Sequence, residues 1–297
     1  MRRKLIVIAG PTAVGKTAVS VKIATHLKTE IVSADSRQFF RELVIGTAKP
    51  TASELAAVKH HFINSHSITS RYDAAEYGDD ALRVIHELFK NNVSVVLCGG
   101  SGLYIRAVTE GFDDIPDVSP QIRGELIREY ERKGISWLQE KMKTEDPEYF
   151  SQLDQQNPHR LIRALEVKLG TGVSIGLFRQ NSTREHDFDI VKIGLELPRE
   201  ELYQRIDYRM DEMIDAGLFD EAKSLYPFRS HNALQTVGYR EIFGYLDGLY
   251  SREEAIELLK RNSRRYAKRQ LTWFKKDPAM KWFHPSEIDN IVAYING

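Results

Sequence analysis

Residues 5–18 read LIVIAGPTAVGKTA. The apolar run Leu5–Ala9 leads straight into Gly10–Thr17, GPTAVGKT, which fits the pattern G-x-x-x-x-G-K-[ST]. A helical pattern follows, with Val14, Ala18, Val21 and Leu27 roughly on one face. Strand, glycine loop and helix, in that order, are the context in which this pattern binds phosphates. The N–H groups of such a loop point into one concavity, and the helix start adds a partial positive charge. Gly10, Pro11, Thr12, Ala13, Val14, Gly15, Lys16 and Thr17 are therefore the candidate phosphate-binding residues. Lys16 adds a full charge, and Thr17 offers a hydroxyl to Mg²⁺. The pattern implies a diphosphate or triphosphate ligand without choosing ATP.

The chain has 297 residues, enough for one large domain or two ordinary ones. It is 42% hydrophobic and 28% charged, in the range of globular proteins. Cys98 is the single cysteine, so no disulfide framework or thiolate metal site can form within the chain. The N-terminal apolar run is too short for a signal peptide, and no stretch reaches transmembrane length. A cytoplasmic protein with no membrane partner is expected, as a monomer. Net charge is zero, 42 basic against 42 acidic residues, but the distribution is lopsided. Residues 260–276 carry Lys260, Arg261, Arg264, Arg265, Lys268, Arg269, Lys275 and Lys276 and no acid. Acids crowd 207–221, at Asp207, Asp211, Glu212, Asp215, Asp220 and Glu221.

Four runs read as buried strands: Leu5–Ala9, Glu30–Ala34, Ser94–Cys98 and Asp189–Leu197, with His61–Ser65 a weaker candidate. They predict an α/β core with a mainly parallel sheet flanked by helices. The first three end in polar or glycine-rich segments, and in open α/β sheets ligands sit beyond the carboxyl ends of strands. Between 112 and 188 the texture changes to helical patterns, Gln121–Lys133, Ile135–Met142 and Pro158–Leu169. This predicts a helical insertion, 112–188, in a core made of 1–111 and 189–297. Residues 170–189 read as a mobile connection. Helices are expected from about Arg199 to Leu225 and from Arg252 to Phe274.

Asp35 closes the second strand, and its carboxylate admits three roles: Mg²⁺ ligand, cap of the next segment, or general base. Gly99–Tyr104, GGSGLY, replaces the acid often found at a neighbouring strand end with glycines and Ser101. It is either a close approach to a ligand or a tight turn. Arg160 and Arg163 share a face at the start of a helix and suit an anionic partner or solvent. Arg205 and Arg209, four residues apart, could clamp phosphates or be neutralised by acidic neighbours. Arg261, Arg264, Lys268 and Lys275 form a basic face, with Leu259, Tyr266 and Trp273 on another face directed to the core. The basic face is a nucleic-acid footprint or a solvated surface. His60, His61 and His66 lack a metal-ligand spacing.

Taken in order, GPTAVGKT, DSRQFF (35–40), GTAKP (46–50), GGSGLYIRA (99–107), NPHRLIRALE (157–166), QTVGYRE (235–241) and RRYAKRQLTWF (264–274) resemble the bacterial tRNA dimethylallyltransferases, the tRNA isopentenyl-diphosphate transferases. The resemblance covers nearly the whole chain and is weakest in 112–156 and 170–190. It implies a phosphate loop used for dimethylallyl diphosphate, with Mg²⁺, and transfer of the prenyl group to N6 of the adenosine 3′ of the anticodon in tRNA. It implies Asp35 as general base and Lys16, Thr17, Arg205 and Arg209 on the diphosphate. It implies tRNA contacts at Ser36, Arg37, Gln38, Ser101, Arg123, His159, Arg160, Leu161, Ile162 and Arg163, and it suits a tRNA grip at Arg261, Arg264 and Lys268. The chain departs from the family at Val14, where a small polar residue is frequent, and at Phe39-Phe40, where Val-Tyr is common. A small-molecule kinase would need no basic helix at 260–276, and a purely RNA-binding module would need neither Lys16 nor Asp35.

Overall fold

The computed structural model describes residues 2–179 and 183–297. Leu5 to Ala9 are fully buried because strands pair on both sides and helices cover both faces. Leu5, Val7 and Ala9 enter one apolar core, Ile6 and Ile8 another. That alternation on a doubly covered sheet is why the run is continuously apolar. Each such large side chain contributes about 1.5–3 kcal/mol on burial.

In chain order the first elements are β1 (Lys4–Ala9), α1 (Lys16–His26), β2 (Ile31–Ser33), α2 (Ala52–Ala57), β3 (His60–His61), α3 (Ala74–Leu88), β4 (Ser94–Gly99) and α4 (Gly102–Thr109). Then come α5 (Pro120–Lys133), α6 (Ile135–Glu145), α7 (Pro147–Gln152), α8 (Pro158–Thr171) and α9 (Ile175–Phe178). The chain finishes with β5 (Asp189–Leu195), α10 (Arg199–Asp215), α11 (Leu218–Leu225), α12 (Tyr239–Leu246), α13 (Arg252–Phe274), β6 (Lys281–Phe283) and α14 (Ile288–Asn296). The sheet has the order β3-β2-β4-β1-β5-β6, and every neighbouring pair is parallel. β6 is too short to leave a periodic signal. Its Trp282 pairs with Gly194, where a Cβ would meet the indole at 2.7 Å. The helical stretch after β5 breaks at Gly217, whose φ of 100° starts α11.

The chain divides into two compact units, 1–109 with 185–297, and 110–184. In the second, Leu126, Leu138, Met142, Leu161, Ile162 and Leu165 form a separate core. The Asn157 side chain accepts from the Arg160 N–H to start α8, with Pro158 in its first turn, and Gly172 at φ 75° ends it. The stretch 170–189 is thus not one connection. It holds the end of α8, then α9, then the start of β5; residues 180–182 of it lie outside the described residues. Among the described residues no helix is long and apolar enough to cross a membrane.

Candidate active site

The loop between β1 and α1 has left-handed backbone at Ala13 (φ 63°) and at Gly15 (φ 101°), which caps α1. Such alternation gathers successive N–H groups into an anion-binding concavity. Thr12, Ala13, Gly15, Lys16 and Thr17 line a cavity of about 650 Å³. Three residues of the motif do not line it. Gly10 packs on β5, where a Cβ would lie 2.7 Å from the Leu195 carbonyl; Val14 is fully buried; the Pro11 carbonyl accepts from Lys16 Nζ at 2.7 Å. Burial of the Lys16 ammonium lowers its pKa to about 8, with Arg209 adding to the shift and Cys98 and Asp35 opposing it.

Asp35 follows β2 and lines the same cavity. Its Oδ1 accepts from the N–H groups of Arg37 (2.9 Å) and Gln38 (3.3 Å), so the carboxylate does cap the following turn. Both bonds use one oxygen, which leaves the other for a ligand. Gln38 donates through Nε2 to the carbonyls of Thr47 and Ala48, tying the GTAKP loop to the Asp35 turn. Glu221 holds that loop from the far side, accepting from the N–H groups of Val44, Ile45 and Gly46. Lys49, also on the cavity, bonds the Phe40 carbonyl and Asn64, and burial lowers it to about 8. Phe39 and Phe40 are buried below the turn, Phe39 edge-on to Tyr72.

Arg209 lines the cavity and is largely buried, and that burial lowers its pKa. Arg205 instead pairs with Glu201 at 3.1 Å, half-exposed. Ile206, Met210, Met213, Ala216, Leu218 and Ile45 give the cavity an apolar wall. Among the described residues no group of three His, Cys, Asp or Glu could hold a metal, and His61 pairs with Glu30.

A second cavity, about 870 Å³, lies against Ser36 and Arg37. Arg229, Arg240, Arg265 and Arg269 also line it, beside Glu241 and Asp247. The two cavities share Arg37, Thr236, Val237 and Tyr266. Burial pushes the Tyr266 phenol up to about 12, with Asp35 adding and Arg37 opposing.

Several expected RNA contacts are placed differently. Arg264 puts one guanidinium nitrogen on both oxygens of Asp207, at 2.5 and 2.6 Å, and Lys275 pairs with Glu196. Arg264 is held in a part-buried pair, whereas Lys275, Arg261 and Lys268 are exposed. Tyr266 faces the cavities rather than the core, and Trp273 is 43% exposed. Leu161 and Ile162 are core residues of the second unit and cannot touch RNA. Arg123 and Arg163 both pair with buried Glu166; His159 and Arg160 are exposed. Ser101 bonds Ser36 and supports the Asp35 turn. Of the four arginines on the second cavity, Arg265 and Arg269 lie in the basic run 260–276, and no local pattern marks Arg229 or Arg240.

The sequence matches the family model described as IPP transferase over residues 38–277. It is 49% identical over 295 residues to the tRNA dimethylallyltransferase of Cytophaga hutchinsonii, covering 99% of this chain and 97% of that one. It is 51% identical over 296 residues to that of Christiangramia forsetii, covering 99% and 98%. The crystal structure of the full-length tRNA isopentenylpyrophosphate transferase from Bacillus halodurans superposes with a TM-score of 0.74 at 40% identity, covering 100% of this chain and 96% of that one. A phosphate-type loop beside an acid-tipped strand, on a chain alike end to end, leaves one assignment: the chain belongs to the IPP transferase family, that of the tRNA dimethylallyltransferases.

Proposed function

We propose that the protein transfers a dimethylallyl group from dimethylallyl diphosphate to N6 of the adenosine 3′ of the anticodon in tRNA, releasing diphosphate. The observation that carries this reading is the meeting of two unlike cavities beside the Asp35 turn. One has a phosphate-type end and an apolar wall; the other is lined by arginines. The first suits a short apolar diphosphate, the second RNA. A base extruded from the anticodon loop would pass from the second towards the first at their shared residues.

The chemistry follows from the reactants. The adenine amine is a weak nucleophile because its lone pair is delocalised into the ring. The donor carbon is allylic, so the C–O bond breaks readily once charge on the departing oxygen is neutralised. Lys16, the loop residues and Arg209 line that cavity, and in this reading they take that charge. As the N6–carbon bond forms, the amine proton passes to the Asp35 carboxylate. Thr17 follows Lys16 in the phosphate loop and lines the same cavity, so its hydroxyl would hold Mg²⁺ against the diphosphate and leave the Asp35 carboxylate to take the proton. Bound there, the ion would further neutralise the leaving group.

The exposed His159 and Arg160 of the second unit offer a further tRNA contact. The protein is proposed to work as a monomer where tRNA is found, in the cytoplasm. The test is incubation of the protein with Mg²⁺, unmodified tRNA and labelled dimethylallyl diphosphate, against γ-labelled ATP with tRNA. Label enters tRNA from the prenyl donor alone; transfer from ATP only would reverse the assignment to a kinase.

A further inference from the structure

Gln270 is 7% exposed in α13 and uses both ends of its amide. Oε1 accepts the Thr12 N–H at 2.8 Å, and Nε2 donates to the Gly100 carbonyl at 2.8 Å. The partners fix the amide's orientation, since a backbone N–H can only donate and a carbonyl can only accept. Thr12 lies in the phosphate loop; Gly100 belongs to the turn whose Ser101 holds Ser36. A Cβ at Gly100 would lie 2.5 Å from Gln270 Nε2 and 3.4 Å from Lys16 Nζ, so glycine there lets both groups come close. One side chain therefore joins the loop, the turn that supports Asp35, and the helix that carries Tyr266 into both cavities.

We propose that Gln270 is a positioning residue for prenyl transfer: it sets the phosphate loop against the Gly100–Ser101 turn, and thereby the leaving diphosphate against Asp35. This rests on the reading of Gly10–Thr17 as the donor site. The role demands an acceptor and a donor on one uncharged group of this length. Methionine fills similar space and offers no N–H. A carboxylate still accepts from Thr12, but it opposes the Gly100 carbonyl until it is protonated.

The experiment compares wild type, Gln270→Met, Gln270→Glu and Lys16→Ala for dimethylallyl diphosphate affinity, tRNA affinity and single-turnover rate between pH 5.5 and 8. Gln270→Met is expected to keep tRNA affinity within about twofold and to lose about 10- to 100-fold in rate at saturating donor, the usual effect of small misplacement. Gln270→Glu is expected to be similarly slow at pH 8 and, relative to wild type, to regain several-fold as pH falls and its buried carboxyl takes a proton. A purely structural role would not produce that pH-dependent rescue. A wild-type rate in Gln270→Met, or a pH-independent ratio of Gln270→Glu to wild type, overturns the proposal. Unchanged donor affinity and rate in Lys16→Ala would instead overturn the donor-site reading beneath it.

Discussion

Ser101 Oγ accepts the backbone N–H of Ser36 at 2.9 Å, so the turn after β4 holds the turn that carries Asp35. The two hydroxyl oxygens are also 3.1 Å apart. Ser101→Ala leaves the Ser36 N–H unpaired at a part-buried site, which costs about 1–3 kcal/mol. The single-turnover rate is expected to fall about tenfold. Ser101→Thr keeps the oxygen and stays near wild type. Quenched-flow transfer with saturating donor and tRNA measures both.

Lys16 gives the site a pH limit. Burial places its pKa near 8 in the free protein, below the ordinary value for lysine. Its positive charge is fully present below that pH and is lost as pH rises through it. Affinity of the free protein for the donor therefore weakens above about pH 8, and binding near that pH draws in a proton because the diphosphate favours the ammonium. Calorimetry in buffers of different ionisation enthalpy measures the proton count. Uptake that vanishes in Lys16→Ala supports the assignment, and release of protons contradicts it.

Neighbouring arginines on α13 should separate into two kinds. Arg264 is tied to Asp207, so Arg264→Ala lowers stability by about 1 kcal/mol and barely changes the salt dependence of tRNA binding. Arg269 lines the arginine-rich cavity, so Arg269→Ala weakens tRNA binding and reduces the slope of log K against log salt by about one. Filter binding across a salt series distinguishes them.

In the second unit, Glu166 is buried under Arg123 and Arg163. Glu166→Ala removes the shared partner of two cations. Because both arginines are partly exposed, stability falls by about 1–2 kcal/mol, less than for fully buried pairs. Thermal unfolding of the whole protein, with hydrogen exchange reporting on residues 110–184, should locate the loss there.

The sequence carried the parts of the fold that local chemistry dictates. β1, β2 and β4 are short apolar runs because both faces of the sheet are covered, and β5, interrupted by Lys192 paired with Asp277, is buried only over Ile193–Leu195. β6, three residues at an edge, has no such signature. The phosphate loop and Asp35 were legible because glycine spacing and a strand-end acid are local patterns. The pairing of Arg264 with Asp207 and the two bonds of Gln270 join residues far apart in the chain, and no periodicity reports them. The run His159–Arg163 is contiguous in sequence, yet a helix turns each successive residue by about 100°. Leu161 and Ile162 accordingly face the core while His159 and Arg160 face solvent.

The role of Asp35 is the centre of the mechanism. The direct measurement is single-turnover transfer of labelled dimethylallyl diphosphate to unmodified tRNA by wild type and Asp35→Asn, with tRNA affinity measured on the same preparations. The account predicts label on N6 of the adenosine 3′ of the anticodon with wild type. For Asp35→Asn it predicts a rate at least about 100-fold lower at near-normal tRNA affinity, the range for loss of a general base. A wild-type rate in Asp35→Asn would contradict it.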